Sequence, residues 1–271
     1  LYGVRSRSAV AAISDFSVIG NGDIVGVRLV DPLPPIGELY QSLSFGLDYK
    51  DFQQDVAAPG TPGIDTPIHY VPLSATWSGT RADKSGEWQF STGLTLGLRG
   101  LSSDELTFEN NRYKANGNFV IWKWELQRSQ VLSKSLTLSA RVDGQLADQP
   151  LVSNEEYAAG GASSVRGYLE AEEVGDNAVH SSIELRGLSL LRGDGAARLV
   201  PLAFVEGAYL WLNDPLPGQQ SEFSLYSAGL GLRLSEWHRF EAALDVAWPL
   251  KDSPYSRAGE TRVVFSATAK F

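Results

Sequence analysis

The sequence predicts an all-β chain, an antiparallel β-barrel built to cross a membrane, and three observations carry that expectation. Apolar and polar residues alternate with period two through most of the 271 residues. The apolar faces are rimmed by aromatics near strand ends, as with Phe240 and Trp248, Tyr209 and Trp211, Trp88, Tyr49 and Trp77, and such rings favour headgroup depth. The longest run without Asp, Glu, Lys, Arg or His is 11 residues. That is too short for a membrane helix of ~20 residues and long enough for a membrane strand of ~9–11. Alternation alone also fits a soluble sandwich, whose apolar faces pack inward. The aromatic rims favour the barrel.

Strands are expected at 2–13, 23–33, 37–52, 66–80, 86–100, 114–130, 134–148, 177–190, 196–213, 221–235, 237–250 and 261–271, about twelve in all. Asn21-Gly22-Asp23 and Leu33-Pro34-Pro35-Ile36-Gly37 supply turn chemistry, and Pro215-Leu216-Pro217-Gly218 fits a longer loop. Trp88, Phe90, Thr92, Leu94, Leu96 and Leu98 share a face opposite Gln89, Ser91, Gly93, Thr95, Gly97 and Arg99. Val120, Trp122, Trp124 and Leu126 oppose Ile121, Lys123, Glu125 and Gln127. Leu136, Leu138, Ala140, Val142 and Leu146 oppose Thr137, Ser139, Arg141, Asp143 and Gln145. Phe240, Ala242, Leu244, Val246, Trp248 and Leu250 oppose Glu241, Ala243, Asp245, Ala247 and Pro249. The polar faces place Arg28, Asp48, Lys50, Arg99, Arg141, Glu184, Arg186 and Arg233 inward, where mixed charge lines a water-filled lumen. No linker divides residues 1–271, which read as one barrel domain.

Composition closes off several functions. There is no Cys, which removes disulfide scaffolds, thiolate metal sites and cysteine nucleophiles. Net charge is −9, so no surplus of cations is available for nucleic acid. There is no Met and the chain opens at Leu1, so it reads as a processed product or a segment of a longer protein, without signal peptide. His69, His180 and His238 lie on separate segments, no Gly-x-Ser-x-Gly elbow is present, and no catalytic nucleophile, metal or cofactor is implied. Glu155, Glu156, Glu170, Glu172, Glu173 and Asp176 form an acidic cluster without EF-hand spacing, expected to be solvated on an extracellular loop.

That loop, 149–176, is the one long break in the alternation, and a connection of this length points to function or a folded-in plug. Its centre holds Gly160-Gly161, then Val165-Arg166-Gly167-Tyr168, then Gly175-Asp176 leading into an Ile-Glu-Leu-Arg strand. No helix pattern follows the paired glycines, so they mark a tight turn and not a phosphate cradle. With five strands after this loop, the last of them running through Phe265 to Phe271, the chain resembles the TpsB transporters of two-partner secretion, relatives of BamA and TamA. The resemblance covers 114–271; over 1–113 only the hairpin rhythm supports it. It implies an outer-membrane barrel of about sixteen strands, more than are visible here, and POTRA domains of which this chain has none. It implies export of an unfolded client protein through the lumen, outer-membrane lipid around the wall, and a terminal Phe that marks the chain for barrel assembly. A BamA-type insertion factor, and a reduced pore docked to other outer-membrane subunits, are the rival readings. The resemblance also implies that Arg166 reaches an acidic residue of a Phe-x-Asp-x-Gly stretch, matched here by Phe204-Val205-Glu206-Gly207-Ala208 with Glu for Asp and Ala for the last Gly.

Overall fold

In a computed structural model, described for residues 1–13, 16–53, 55–56, 64–65, 67–191, 197–236 and 240–269, the alternation becomes twelve long strands. They are β1 (Tyr2–Ile13), β2 (Phe16–Ile36), β3 (Leu39–Gln53), β4 (Pro72–Asp83), β5 (Gly86–Gly97), β6 (Val120–Ser133), β7 (Leu136–Ala147), β8 (Asn177–Arg186), β9 (Ala197–Trp211), β10 (Glu222–Glu236), β11 (Phe240–Pro249) and β12 (Arg262–Ala269). Each pairs antiparallel with its chain neighbours in one meandering sheet, and the short strand Ile68–Tyr70 adds to β3. Among the described residues β1 and β12 do not pair with each other.

Burial separates the two readings that alternation left open. Val205, Leu230 and Trp122 are 51%, 56% and 44% exposed, while Glu206 and Asp245, facing the other way, are 8% and 4% exposed. A soluble sandwich buries its apolar face; this sheet exposes it and covers its polar one, the pattern of a wall with lipid outside and a polar lumen inside. No described helix is long and apolar enough to cross a membrane. The turns at 37–38, 84–85 and 134–135 sit at one rim, and the two longest connections, 98–119 and 148–176, at the other, matching short periplasmic turns and long extracellular loops.

Several expected boundaries move. Asn21-Gly22-Asp23 is no hairpin turn: it lies inside β2, paired with Arg5 to Arg7 on one side and Asp51 to Gln53 on the other. Gly22 stands there because a Cβ would meet the Phe52 ring at 2.2 Å, so the glycine admits a packed aromatic. The next turn comes at Gly37, whose φ of 62° suits glycine, while the two prolines before it remain in β2. Arg99 leaves the lumen wall, because β5 stops at Gly97 and Arg99 enters a 3₁₀ turn where it pairs with exposed Glu105 at 2.5 Å. The strand expected from 114 begins only at Val120.

Before β6 the chain forms a helix, α1 (Glu105–Asn111), started by Asp104, whose carboxylate accepts from the Thr107 amide at 2.8 Å. Its buried Phe108 joins Phe52, Ile68, Tyr70, Phe119 and Leu151 in an apolar cap at the long-loop rim. That cap is the base from which loop 149–176 descends.

Candidate functional site

Loop 149–176 is anchored at its root, narrowed into a hairpin and pressed by its tip against the inner wall. Leu151 and Val152 bury in the cap. Just beyond, the buried Glu155 carboxylate pairs with Lys50 of β3 and accepts from the Tyr70 hydroxyl at 2.8 Å, while Gln145 of β7 donates to its backbone carbonyl at 2.8 Å. Tyr157–Ala159 then pairs antiparallel with Glu173–Gly175, so both limbs of the loop run side by side. Asp176, fully buried, closes the root by accepting from the amides of Leu151 at 2.6 Å and Asn213 at 2.7 Å.

The acidic cluster expected to be solvated is therefore divided: Glu170 is exposed, whereas Glu155, Glu172 and Asp176 are buried. Glu172 accepts from the Leu169 amide at 2.6 Å and from the Ser256 hydroxyl at 2.6 Å, and it also accepts from the Ser253 hydroxyl. Burial alone would raise its pKa, but these donors together hold it below the usual carboxylate range. Glu156 has no such donors: burial first, then the nearby Asp176 charge, push it up to about 7 against the opposing pull of Arg112. Glu155, Glu172 and Asp176 thus each serve a separate anchoring contact, because a loop folded inward must satisfy every polar group it carries away from water.

At the tip, Gly160 and Gly161 take φ of 108° and 90°, and the Ser164 hydroxyl bonds the Gly160 amide at 2.8 Å and its carbonyl at 3.0 Å. Val165 is fully buried. Gly167 has φ of 98°, and a Cβ there would come within 3.2 Å of Pro249 and 3.3 Å of Ala247, so a side chain would meet both strain and the β11 wall. Tyr168 donates its hydroxyl to the Lys251 carbonyl at 2.8 Å and the Tyr226 carbonyl at 3.0 Å.

Arg166 sits at the centre of this arrangement and is 4% exposed. Its Nε donates to both Glu206 oxygens at 3.0 and 3.1 Å, its backbone amide donates to Glu206 Oε2 at 2.9 Å, and Nη2 also pairs with Glu206. Nη2 reaches Glu184 of β8 at 2.7 Å, and Nη1 lies 3.3 Å from Asp245 of β11. The guanidinium carbon stands 3.5 Å from the Phe204 ring centroid. One planar cation therefore gathers carboxylates from three strands, which suits the fixed fork of arginine and not the point charge of lysine.

Sequence reasoning named Phe204 and Glu206 for this contact but treated Glu184 and Asp245 as general lumen charges. It passed over Gly229 and Gly231 entirely. A Cβ at Gly229 would meet the Phe204 ring at 2.2 Å, and one at Gly231 would meet Asp245 at 2.1 Å. Two alternate glycines on the inner face of β10, directly across from Phe204 and Asp245, were the available signal. Phe265 faces outward at 68% exposed, and Phe271 lies outside the described residues.

The sequence model of the haemolysin secretion/activation protein family ShlB/FhaC/HecB matches residues 69–234. The heme/hemopexin transporter protein HuxB of Haemophilus influenzae strain Rd is 26% identical over 175 residues, 63% of this chain and 31% of that protein. Its counterpart in strain 86-028NP is 25% identical over 242 residues, 86% of this chain and 42% of that protein. The chain thus spans 31% to 42% of the length of these curated relatives. CdiB from Escherichia coli superposes with a TM-score of 0.73 at 19% identity, covering 96% of this chain and 48% of that one. BamA from Haemophilus ducreyi lacking POTRA domains 1–3 gives 0.65 at 12% identity, covering 92% of this chain and 55% of that one. These structural likenesses show the fold of an outer-membrane barrel.

Proposed function

Because the chain belongs to the haemolysin secretion/activation protein family ShlB/FhaC/HecB, we propose that its barrel passes an unfolded partner protein outward across the bacterial outer membrane, with loop 149–176 filling the path at rest. The observation that carries this reading is the seating of Arg166 on Glu206, Glu184 and Asp245, which holds the loop tip against the inner wall.

A polypeptide in transit needs a wall that does not retain it. On the inner face Arg28 stands beside Asp48 at 3.4 Å, Arg141 beside Glu125 at 3.2 Å, Arg186 beside Glu184 at 2.7 Å and Arg233 beside Asp245 at 2.7 Å. Each cation has an anion at hand, so the wall offers an extended chain neither an apolar strip nor a long field of one sign. Val165, Arg166, Gly167 and Tyr168 act in this reading as the latch, with Phe204 and Glu206 as its seat. Gly160, Gly161, Gly175 and Asp176 form the turn and root about which the tip is set, and Phe265 with Phe271 marks the last strand for barrel assembly. Folding of the client outside supplies the direction of transport.

Deleting 149–176 is expected to raise single-channel conductance in planar bilayers and to abolish secretion of the partner. Unchanged conductance would mean that the loop does not fill the path. Loss of insertion of other barrels, with secretion retained, would instead favour a BamA-type assembly role.

A further inference from the structure

The structure assigns to His180 of β8 a second hold on the loop tip, one that closes only when the imidazole carries two protons; this inference rests on the occluding role proposed for the loop. His180 is 2% exposed and sits between two hydrogen-bond acceptors. Its Nδ1 lies 2.8 Å from Asp143 Oδ1 of β7, and its Nε2 lies 3.2 Å from the backbone carbonyl of Ser164, two residues before Arg166. A carbonyl oxygen has no proton to give, and a carboxylate that also accepts from Tyr157 at 2.6 Å has none either. Only the imidazolium, a donor at both nitrogens, satisfies both neighbours.

The surrounding charges decide which nitrogen loses its proton first. Asp143 faces Nδ1 from β7 and is itself approached by Arg141 Nε at 3.1 Å, with Glu125 of β6 beyond Arg141. From the loop come Tyr157 and Arg166, and from β9 comes Glu206, which Arg166 already occupies. The anionic partner keeps its proton on Nδ1, so a neutral ring turns the bare Nε2 lone pair towards the Ser164 carbonyl. Two acceptors then face each other inside the wall, where an unmade hydrogen bond is costly. Raising the pH therefore loosens the tip, and lowering it clasps the tip. His180 is a positioning residue: it holds the segment that carries Arg166.

Glu156 is pushed up to about 7, so the test must separate it from His180. Conductance of the protein in planar bilayers is measured between about pH 5.5 and 8.5 for wild type, His180→Gln, Glu156→Gln and the 149–176 deletion. The expected result is a several-fold rise in conductance with pH in wild type and Glu156→Gln, and a flat profile in His180→Gln. In parallel, because the chain has no native Cys, a spin-label pair at Ala162→Cys and Ser129→Cys reports the distance from tip to wall without depending on ion flow. It should lengthen or broaden with pH in the wild-type background and not in His180→Gln. A pH response that survives His180→Gln overturns the clasp. So does a wild-type profile that is flat while the loop deletion opens the pore, which would leave the occlusion reading standing. If the deletion leaves conductance unchanged, the occlusion reading fails, and a spin-label distance that ignores pH then overturns the clasp on its own.

Discussion

Arg166→Ala is expected to destabilise the barrel by about 3–5 kcal/mol, because it takes from the buried Glu206 carboxylate the cation it pairs with. Glu206 is 8% exposed, so water cannot take over the lost partner without opening the wall, whereas Asp245 keeps Arg233 and Glu184 keeps Arg186, each at 2.7 Å. Glu206→Ala should cost less. It leaves the guanidinium its contacts with Glu184 at 2.7 Å and Asp245 at 3.3 Å, and it removes one of three anions that would otherwise repel each other. The double substitution should then fall short of the sum of the two by about 0.5–3 kcal/mol. Arg166→Lys keeps the charge but loses the fork and the stacking on Phe204, and it should lie between wild type and Arg166→Ala. Denaturant unfolding of the protein in lipid bilayers measures all four. Additivity within experimental error would show that Arg166 and Glu206 do not act as a unit, and the latch would fall.

The strand pattern was legible because a two-faced wall imposes a strict period on every residue that crosses it. Val205 out, Glu206 in and Gly207 out could be read from sequence and are what burial and register show. What failed was local. Gly22 looks like a turn residue in isolation, and only the Phe52 ring across the ladder explains it as a strand residue. Arg99 keeps the inward phase of β5, but the strand ends two residues earlier, where the chain turns to carry α1 into the apolar cap. The acidic loop residues were the hardest to place. A carboxylate that is solvated and one that caps two amides have the same letter, and nothing within 149–176 announces that Ser253 and Ser256, some eighty positions away, bond Glu172. The site is assembled by long-range pairing. The glycines of β10 become meaningful only once Phe204 and Asp245 lie opposite them.

Two neighbouring substitutions in β11 should separate the two faces of the wall. Leu244 is 40% exposed on the outer face near mid-strand, between Leu232 and Phe265 in register, so every neighbour is apolar. An arginine there places a guanidinium in hydrocarbon with no anion on its face of the sheet, and Leu244→Arg should cost about 2–4 kcal/mol. Ala243 is one residue away and points inward, paired with Arg233 and Ser266. An arginine at 243 extends into the polar lumen, with Asp245 on the same face two residues on. It meets some repulsion from Arg233, but water and the carboxylate offset much of it, and Ala243→Arg should cost far less. The contrast is a difference of two residues with the same new side chain, so helix or strand propensity, side-chain entropy and denatured-state effects largely cancel between them. Refolding equilibria of both variants in bilayers supply the comparison. Equal costs would mean that both faces meet the same solvent, and the assignment of the outer face to lipid could not stand.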